Sequence, residues 1–319
     1  MPEASPKICH VVVAVPTFKR PHMLERLLGA LEKLETRAQV SVIVGDNDSE
    51  NHQGFDLCES LKPHYRWPLI PIIVAERGIA QNRNALAEAA LTLPDTQFIA
   101  MLDDDEWPDP HWLDAFLDVQ AQTGADALHG AVLRAYDEER ADLAEGWAKN
   151  WDGMGDLRGA TGPVAMIEGT GNVMMTRGCF DDLPRPWFDP GFALTGGEDR
   201  DFFFRLKQLG KTFAWADEAK VQASVPASRA SLGWALKRAY RVGNSDMRVF
   251  LKYGPAWPAR ARELAKIAGA ILLFPFLFAI LVVVPNRRSE PLRKLARAAG
   301  KTAALFGRYY NEYAVVHGG

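Results

Sequence analysis

The chain has 319 residues, 48% hydrophobic and 24% charged, which excludes a disordered, collagen-like or fibrous protein and suffices for one large core. Thirty-seven Lys/Arg against 40 Asp/Glu leave a net charge of -3, so there is no global polycation and no nucleic-acid partner is expected. The charge is uneven: Arg248 to Gly319 holds 12 basic and 3 acidic residues against 25 and 37 before it, a basic tail on an acidic body that points to anionic lipid.

Cys9, Cys58 and Cys179 are far apart and form no CxxC pair, which argues for a reducing cytoplasm and against a disulfide framework or zinc knuckle. The opening MPEASPKICHVVVAV has an acid before a short apolar run, so it reads as a first strand and not as a cleaved leader. Short apolar runs then alternate with helical patterns, the signature of a mainly parallel α/β sheet flanked by helices. Val11–Val15 is the first strand, followed by a helix with Leu24, Leu27, Leu28, Leu31 and Leu34 at helical spacing and Pro21 in its opening turn. Strands are expected at Val40–Val44, Ile70–Ala75 and Phe98–Leu102, with helices at Ile79–Leu91 and His111–Gln122. Further strands follow at Ala127–Ala135, Val164–Ile167, Asn172–Thr176, Thr212–Ala216 and Val221–Val225. A helix begins near Glu198, with Phe202, Phe203, Leu206 and Leu209 as its buried stripe and Gly210 as its stop, and another covers Ala230–Val242.

This division gives an α/β domain over 1–250 and a basic helical region over 251–319. Within the latter, Ile267–Val284 is 18 uncharged residues, about 27 Å as a helix against a bilayer core of roughly 30 Å. Pro275 interrupts the run and both flanks are basic, so a single crossing would place one cluster outside; a dip returning to the same side is preferred. Leu292–Phe306 then reads as a basic amphipathic helix on the membrane surface.

Polar residues gather just past the carboxyl ends of several strands: Asp46-Asn47-Asp48, Glu76-Arg77 and Asp103-Asp104-Asp105-Glu106. Ligands of open α/β sheets bind in that crevice. In extended backbone, Asp103 and Asp105 share one face and Asp104 takes the other. Two carboxylates so spaced suit a hard divalent cation with positions open to phosphate oxygens; a solvated acidic turn before a helix has the same composition. In FALTGGEDRDFFFRL, two glycines precede Glu198 and Asp199 in a first helical turn. Such acids either complement the helix dipole or supply a general base for a hydroxyl, and helical geometry does not say which one faces a cleft. No GxxxxGK[ST] phosphate loop or GxSxG elbow is present. Trp147 and Trp151 read more readily as packing than as sugar-stacking residues.

Six segments in one order, VVVAVPTFKR, VIVGDNDS, RGIAQNRNALAEA, MLDDDEWPDP, GTGNVMMTR and GGEDRDFFFRL, make the chain resemble the family-two glycosyltransferases of GT-A fold over roughly residues 8–250. The resemblance implies inverting transfer of a sugar from a UDP- or GDP-sugar to an acceptor hydroxyl, with Mn or Mg assisting. It matches Asp46 to an acid at the nucleobase and Pro16-Thr17 to the nucleotide loop. Asp103 and Asp105 match the ends of a metal- and phosphate-binding DxD that encloses Asp104, and Arg83 a donor contact. Asp199 matches the base and Glu198 its acceptor-positioning neighbour, while Gly171, Asn172 and Gly197 fall on the acceptor side.

Two departures stand out. No histidine lies between His129 and His317, leaving the number of protein ligands to a metal open, and QxxRW is absent, which implies a non-processive enzyme. Arg229, Lys237, Arg238 and Arg241, after the acid pair, fit either a diphosphate contact or a solvated face. The expected acceptor is a saccharide, lipid-linked in cell-surface polysaccharide synthesis, and the expected place is the cytoplasmic face of the cell membrane. A nucleotidyltransferase would need a glycine-rich loop where PTFKRPH stands, and a non-catalytic sugar-nucleotide scaffold would not need acids intact at both positions.

Overall fold

The computed structural model describes residues 9–136, 156–226, 229, 231–284, 287 and 289–310; Trp147 and Trp151 lie outside them. Strands β1 (His10–Thr17), β2 (Gln39–Asp46), β3 (Leu69–Ile73) and β4 (Thr96–Met101) pair in parallel as β3-β2-β1-β4. All eight residues of β1 are buried, as a central parallel strand covered on both faces requires. Helices α1 (Pro21–Leu31), α2 (Gln53–Leu61), α3 (Ile79–Thr92) and α4 (Trp112–Thr123) lie between or after them.

Beyond β4 the sheet departs from the expected mainly parallel pattern and becomes mixed. Strands β5 (Glu106–Pro108), β6 (Ala127–Tyr136), β7 (Gly162–Val164), β8 (Val173–Thr176) and β9 (Phe213–Val225) complete it in the order β3-β2-β1-β4-β8-β6-β9-β5, with β7 also on β9. β8 runs antiparallel to β4 and β6, while β6 and β9 are parallel. The two late strands expected at Thr212–Ala216 and Val221–Val225 are one continuous strand. Its register against β6 jumps from Gly130–Ala216 to Val132–Val221, a bulge that leaves carbonyls unpaired by the ladder. The strand expected at Val164–Ile167 lies earlier, at Gly162–Val164.

Two apolar layers sandwich the sheet, one around Leu24, Leu28, Trp112 and Phe116, the other around Leu86, Phe188, Phe202 and Phe203. The second contains α6 (Glu198–Gln208), reached through the short α5 (Gly178–Asp181). Leu209 follows α6 at 49% exposure and so does not belong to the buried stripe expected there.

The C-terminal helices are α7 (Leu232–Lys252), α8 (Trp257–Leu272), α9 (Phe274–Leu281) and α10 (Glu290–Leu305). α7 is longer than the expected helix, and α10 crosses it closely: a Cβ on Gly243 would stand 2.1 Å from the Arg297 carbonyl oxygen, one on Gly300 1.9 Å from that of Tyr240. α10 therefore buries Ala298, Gly300 and Ala304 against protein instead of lying free on a surface. Among the described residues no single helix is long and apolar enough to cross a membrane. α8 and α9 together are, but they bend by 53°. Pro275, in the first turn of α9, has no amide hydrogen to continue the ladder there. The pair exposes Leu272 at 71%, Phe276 at 68%, Ile280 at 64% and, just past α9, Val283 at 73%.

Candidate active site

The acidic run turns out of the sheet between β4 and β5, so its carboxylates spread around a cavity of about 410 Å³ instead of alternating along a strand. Asp103, Asp104, Asp105 and Glu106 all line it, and each is held differently. Asp104 accepts from the Thr17 hydroxyl at 2.9 Å and pairs with Arg20 at 3.0 Å; burial pushes its carboxyl up to about 7. Asp105 lies 3.6 Å from Arg20 and 3.4 Å from Arg229, and burial raises it too. Glu106 is buried, accepts from the Asp103 amide at 3.2 Å and is pushed well above the usual carboxylate range. Asp103 is the open one, its side chain 42% exposed.

The second acidic group starts α6. Gly196 and Gly197 take φ of +72° and +103°, conformations that favour glycine, and deliver the chain into the helix so that Glu198 points inward. Glu198 is 1% exposed and burial pushes its carboxyl up to about 7. Arg83, itself 5% exposed on α3, donates one guanidinium nitrogen to Glu198 and the other to Asp103 at 3.1 Å. A single planar fork thus ties the two acidic groups, 95 residues apart in sequence, to one point. Asp199 accepts from the Arg200 amide at 2.7 Å, and burial raises its carboxyl. It is not itself a lining residue, but an added Cβ on the lining Gly169 would stand 3.9 Å from its Oδ2, with no other atom beyond its chain neighbours within 4 Å.

The other expected residues divide. Pro16, Thr17 and Gly171 line the cavity, and a Cβ on Gly171 would come within 2.8 Å of Glu106 and 3.2 Å of Asp103. Asp46 does not line it: one oxygen accepts from the Asp48 amide and the other from the Phe55 amide, each at 2.9 Å, so Asp46 shapes the turn and its neighbour Asn47 reaches the wall. Asn172 is also turned inward. Its Nδ2 donates to the Ala131 and Ala219 carbonyls at 2.8 Å, its Oδ1 accepts from Trp112 at 2.7 Å, and it plugs the β6–β9 bulge instead of facing an acceptor. Gly197 serves as the cap of α6 and is not on the wall.

Arg20 and His129 were not singled out from the sequence, and Glu106 was read there only as part of the acidic run. Arg20 carried a usable signal, since it sits just past the carboxyl end of β1, where this kind of crevice opens. His129 lines the cavity, stacks on Trp215 at 4.9 Å between centroids, and shares its Nδ1 proton with the Gly130 carbonyl at 2.7 Å; burial lowers its ring to about 4. Trp234, Arg238 and Arg241 of α7 close the other side.

A crevice at the carboxyl ends of parallel strands, lined by arginines and one acidic run with a second acid pair tied to it through Arg83, is a place where an α/β protein can bind an anionic nucleotide. Comparisons with known proteins identify the class as a glycosyltransferase of GT-A fold that uses a nucleotide-sugar donor. The chain belongs to glycosyltransferase family 2: the family model Glycosyl transferase family 2 matches residues 12–183, and Glycosyl transferase family group 2 matches 98–304. A relative, the succinoglycan biosynthesis protein ExoM of Rhizobium meliloti (strain 1021), is 31% identical over 274 residues, covering 83% of this chain and 85% of its own. The same fold is found in the mannosyltransferase PcManGT from Pyrobaculum calidifontis, solved with GDP-Man and Mn2+ (16% identity, TM-score 0.59, 93% of this chain and 87% of that one). It recurs in GalNAc-T7, solved with UDP, GalNAc and Mn2+ (13% identity, TM-score 0.53, 76% of this chain and 51% of that one). Family membership sets aside the nucleotidyltransferase and the non-catalytic scaffold.

Proposed function

We propose that the protein is an inverting, non-processive transferase that moves one sugar from a UDP- or GDP-sugar to a saccharide hydroxyl. Its acceptor is a lipid-linked saccharide in polysaccharide synthesis, met at the cytoplasmic face of the cell membrane. The name of the succinoglycan relative supports the polysaccharide assignment, and the exposed apolar bend of α8 and α9 between basic flanks supports the membrane. The observation that carries the reading is Arg83 bridging Glu198 and Asp103, because single displacement needs a base and leaving-group stabilisation within one sugar's width.

In this mechanism Asp199 accepts the proton of the acceptor hydroxyl, whose oxygen bonds to the anomeric carbon. The bond from that carbon to the diphosphate oxygen breaks on the opposite face and its electron pair leaves with the diphosphate. Burial raises the Asp199 carboxyl, which better matches a base to a hydroxyl proton. Glu198 and Asp103 hold Arg83, which with Arg20 and Arg229 supplies positive charge toward the departing phosphates.

The donor set fits a divalent cation: Asp103 and Asp105 are hard oxygen ligands, and both face the cavity. Among the described residues no group of three or more metal-ligating side chains is assembled, so these two carboxylates would hold Mn or Mg together with donor oxygens. When bound, such an ion supplies charge neutralisation of the diphosphate.

The test is transfer from a panel of UDP- and GDP-sugars with Mn or Mg to lipid-linked and free saccharides. Asp105→Asn and Asp199→Asn, with folding shown intact, are expected to abolish transfer, with inverted configuration in the wild-type product. Wild-type rates in both variants would reject the assignment.

A further inference from the structure

α7 and α10 lie outside the sheet, yet they reach the turn that carries the acid pair. Arg200 directly follows Asp199, and its amide holds Asp199 Oδ1. Its guanidinium pairs with Asp246 of α7, a carboxylate only 8% exposed, and lies 3.3 Å from Glu168. The other oxygen of Asp246 is taken by Arg297 of α10, whose Nε donates at 3.1 Å beside a closer Nη2 contact. Arg297 sits at the helix crossing, its carbonyl against Gly243. Two further contacts run the same way. Lys252 and Tyr253 both donate to the fully buried Asp201 of α6 at 2.7 Å, and Arg248 donates to the Thr195 hydroxyl at 2.6 Å and the Gly191 carbonyl at 2.7 Å, gripping the loop before Gly196.

A carboxylate buried between two guanidiniums from different elements fixes both, since moving either one strands a charge away from water. We propose that Asp246 is a positioning residue: through Arg200 it sets the orientation of the Glu198–Asp199 turn, and Arg297 completes the hold, so that the C-terminal helices take part in catalysis. The proposal rests on the reading above that Asp199 acts as the base. Asp246 does not line the cavity, so its effect reaches the chemistry only through α6.

The experiment compares Asp246→Asn, Asp246→Glu and Arg297→Gln in the full chain by steady-state transfer and by hydrogen exchange of backbone amides. In Asp246→Asn, kcat is expected to fall at least about tenfold with donor KM within about twofold, because orientation and not donor binding is lost. Amides of 195–202 are expected to exchange at least about tenfold faster, with those of β1 to β4 unchanged. Asp246→Glu should recover most of kcat. Arg297→Gln alters a half-exposed side chain, folds even where Asp246→Asn does not, and should move both readouts in the same direction by less. Unchanged exchange at 195–202, a KM effect without a kcat effect, or faster exchange with wild-type kcat would each overturn the proposal. If the wild type transfers sugar from no nucleotide donor, the proposed function fails, while unchanged exchange would still refute the hold itself.

Discussion

Arg83→Gln removes the fork that joins the two acidic groups, and its cost follows from which partners are buried. The Asp103 side of the fork is 42% exposed, so solvent screening holds its share below about 1 kcal/mol. Glu198 is buried, and breaking a buried pair by removing one partner costs about 3 kcal/mol or more when the remaining charge cannot be neutralised. Here it can be neutralised by a proton, which makes the cost depend on pH. Glu198 ordinarily titrates near 4.5 and is pushed up to about 7 in the fold. The folded wild type therefore keeps a proton that the unfolded chain releases, and this group's contribution to stability declines as pH rises from about 4.5 to about 7, then levels off. Without Arg83 the folded value rises further, so the decline continues above pH 7. Urea unfolding should show Arg83→Gln less stable than wild type by about 1 kcal/mol at pH 5.5, where Glu198 is protonated in both and one hydrogen bond is lost. The gap should grow to about 3 kcal/mol at pH 9. Equal gaps at the two pH values would refute the charge argument and leave Arg83 a packing residue.

Asn172→Ala leaves two carbonyls and the Trp112 indole without their buried partner, at a position of φ +53°, and should cost about 3 kcal/mol in urea unfolding. The folded variant should keep its turnover; selective loss of acceptor affinity would return Asn172 to the acceptor side. Gly171→Ala places a methyl against Glu106 and Asp103 and should lower transfer by about tenfold, with a loss of stability below about 1.5 kcal/mol. The His129 ring, lowered to about 4, should show no titration by NMR between pH 5 and 8. The unfolded chain takes up that proton first, so the ring's contribution is complete above pH 6.5 and is lost as pH falls toward 4. Phe276→Asp with Ile280→Asp should reduce co-sedimentation with anionic vesicles about tenfold at unchanged circular dichroism, and unaltered sedimentation would remove α9 from any membrane contact.

β1, β2 and the end of β4 were legible because they are buried on both faces and so read as unbroken apolar runs, while the edge strand β3 was legible from its apolar residues although it is fully buried only at alternate positions. α2 was missed for the converse reason: in QGFDLCESL only Gly54 and Cys58 are buried, too thin a stripe for a period. β5 is three residues ending in proline, and β9 was split because its bulge falls where the polar Asp217 and Glu218 interrupt the apolar pattern. Within the site, spacing singled out the two acidic groups that Arg83 joins and did not give the way each side chain faces. Asp46 was selected by its place at a strand end and Asn172 by the family resemblance alone, yet each satisfies backbone groups exposed by a turn or a bulge, demands that no local pattern displays. Arg20 and Arg229 meet their carboxylates across 84 and 124 residues, contacts that only the closed sheet creates.

Those arginines, with Arg83, explain how three adjacent aspartates survive in a crevice, and the neighbouring Glu106 accepts from the Asp103 amide. Arg20 comes from the loop after β1, Arg83 from α3 and Arg229 from the segment after β9, and each brings its charge to a different carboxylate or pair. The pairing draws three distant parts of the chain onto one turn, so the acids act as a structural junction as well as a ligand set. It also leaves the crevice balanced for a donor that carries both signs. On the proposed reading, a bound diphosphate would offer these guanidiniums phosphate oxygens, and its cation would replace them as the positive partner of Asp103 and Asp105. Removing one acid alone breaks that balance in the empty protein: Asp105→Asn leaves Arg229 and Arg20 short of a counter-charge. A loss of transfer in that variant therefore speaks for chemistry only when its unfolding curve matches the wild type.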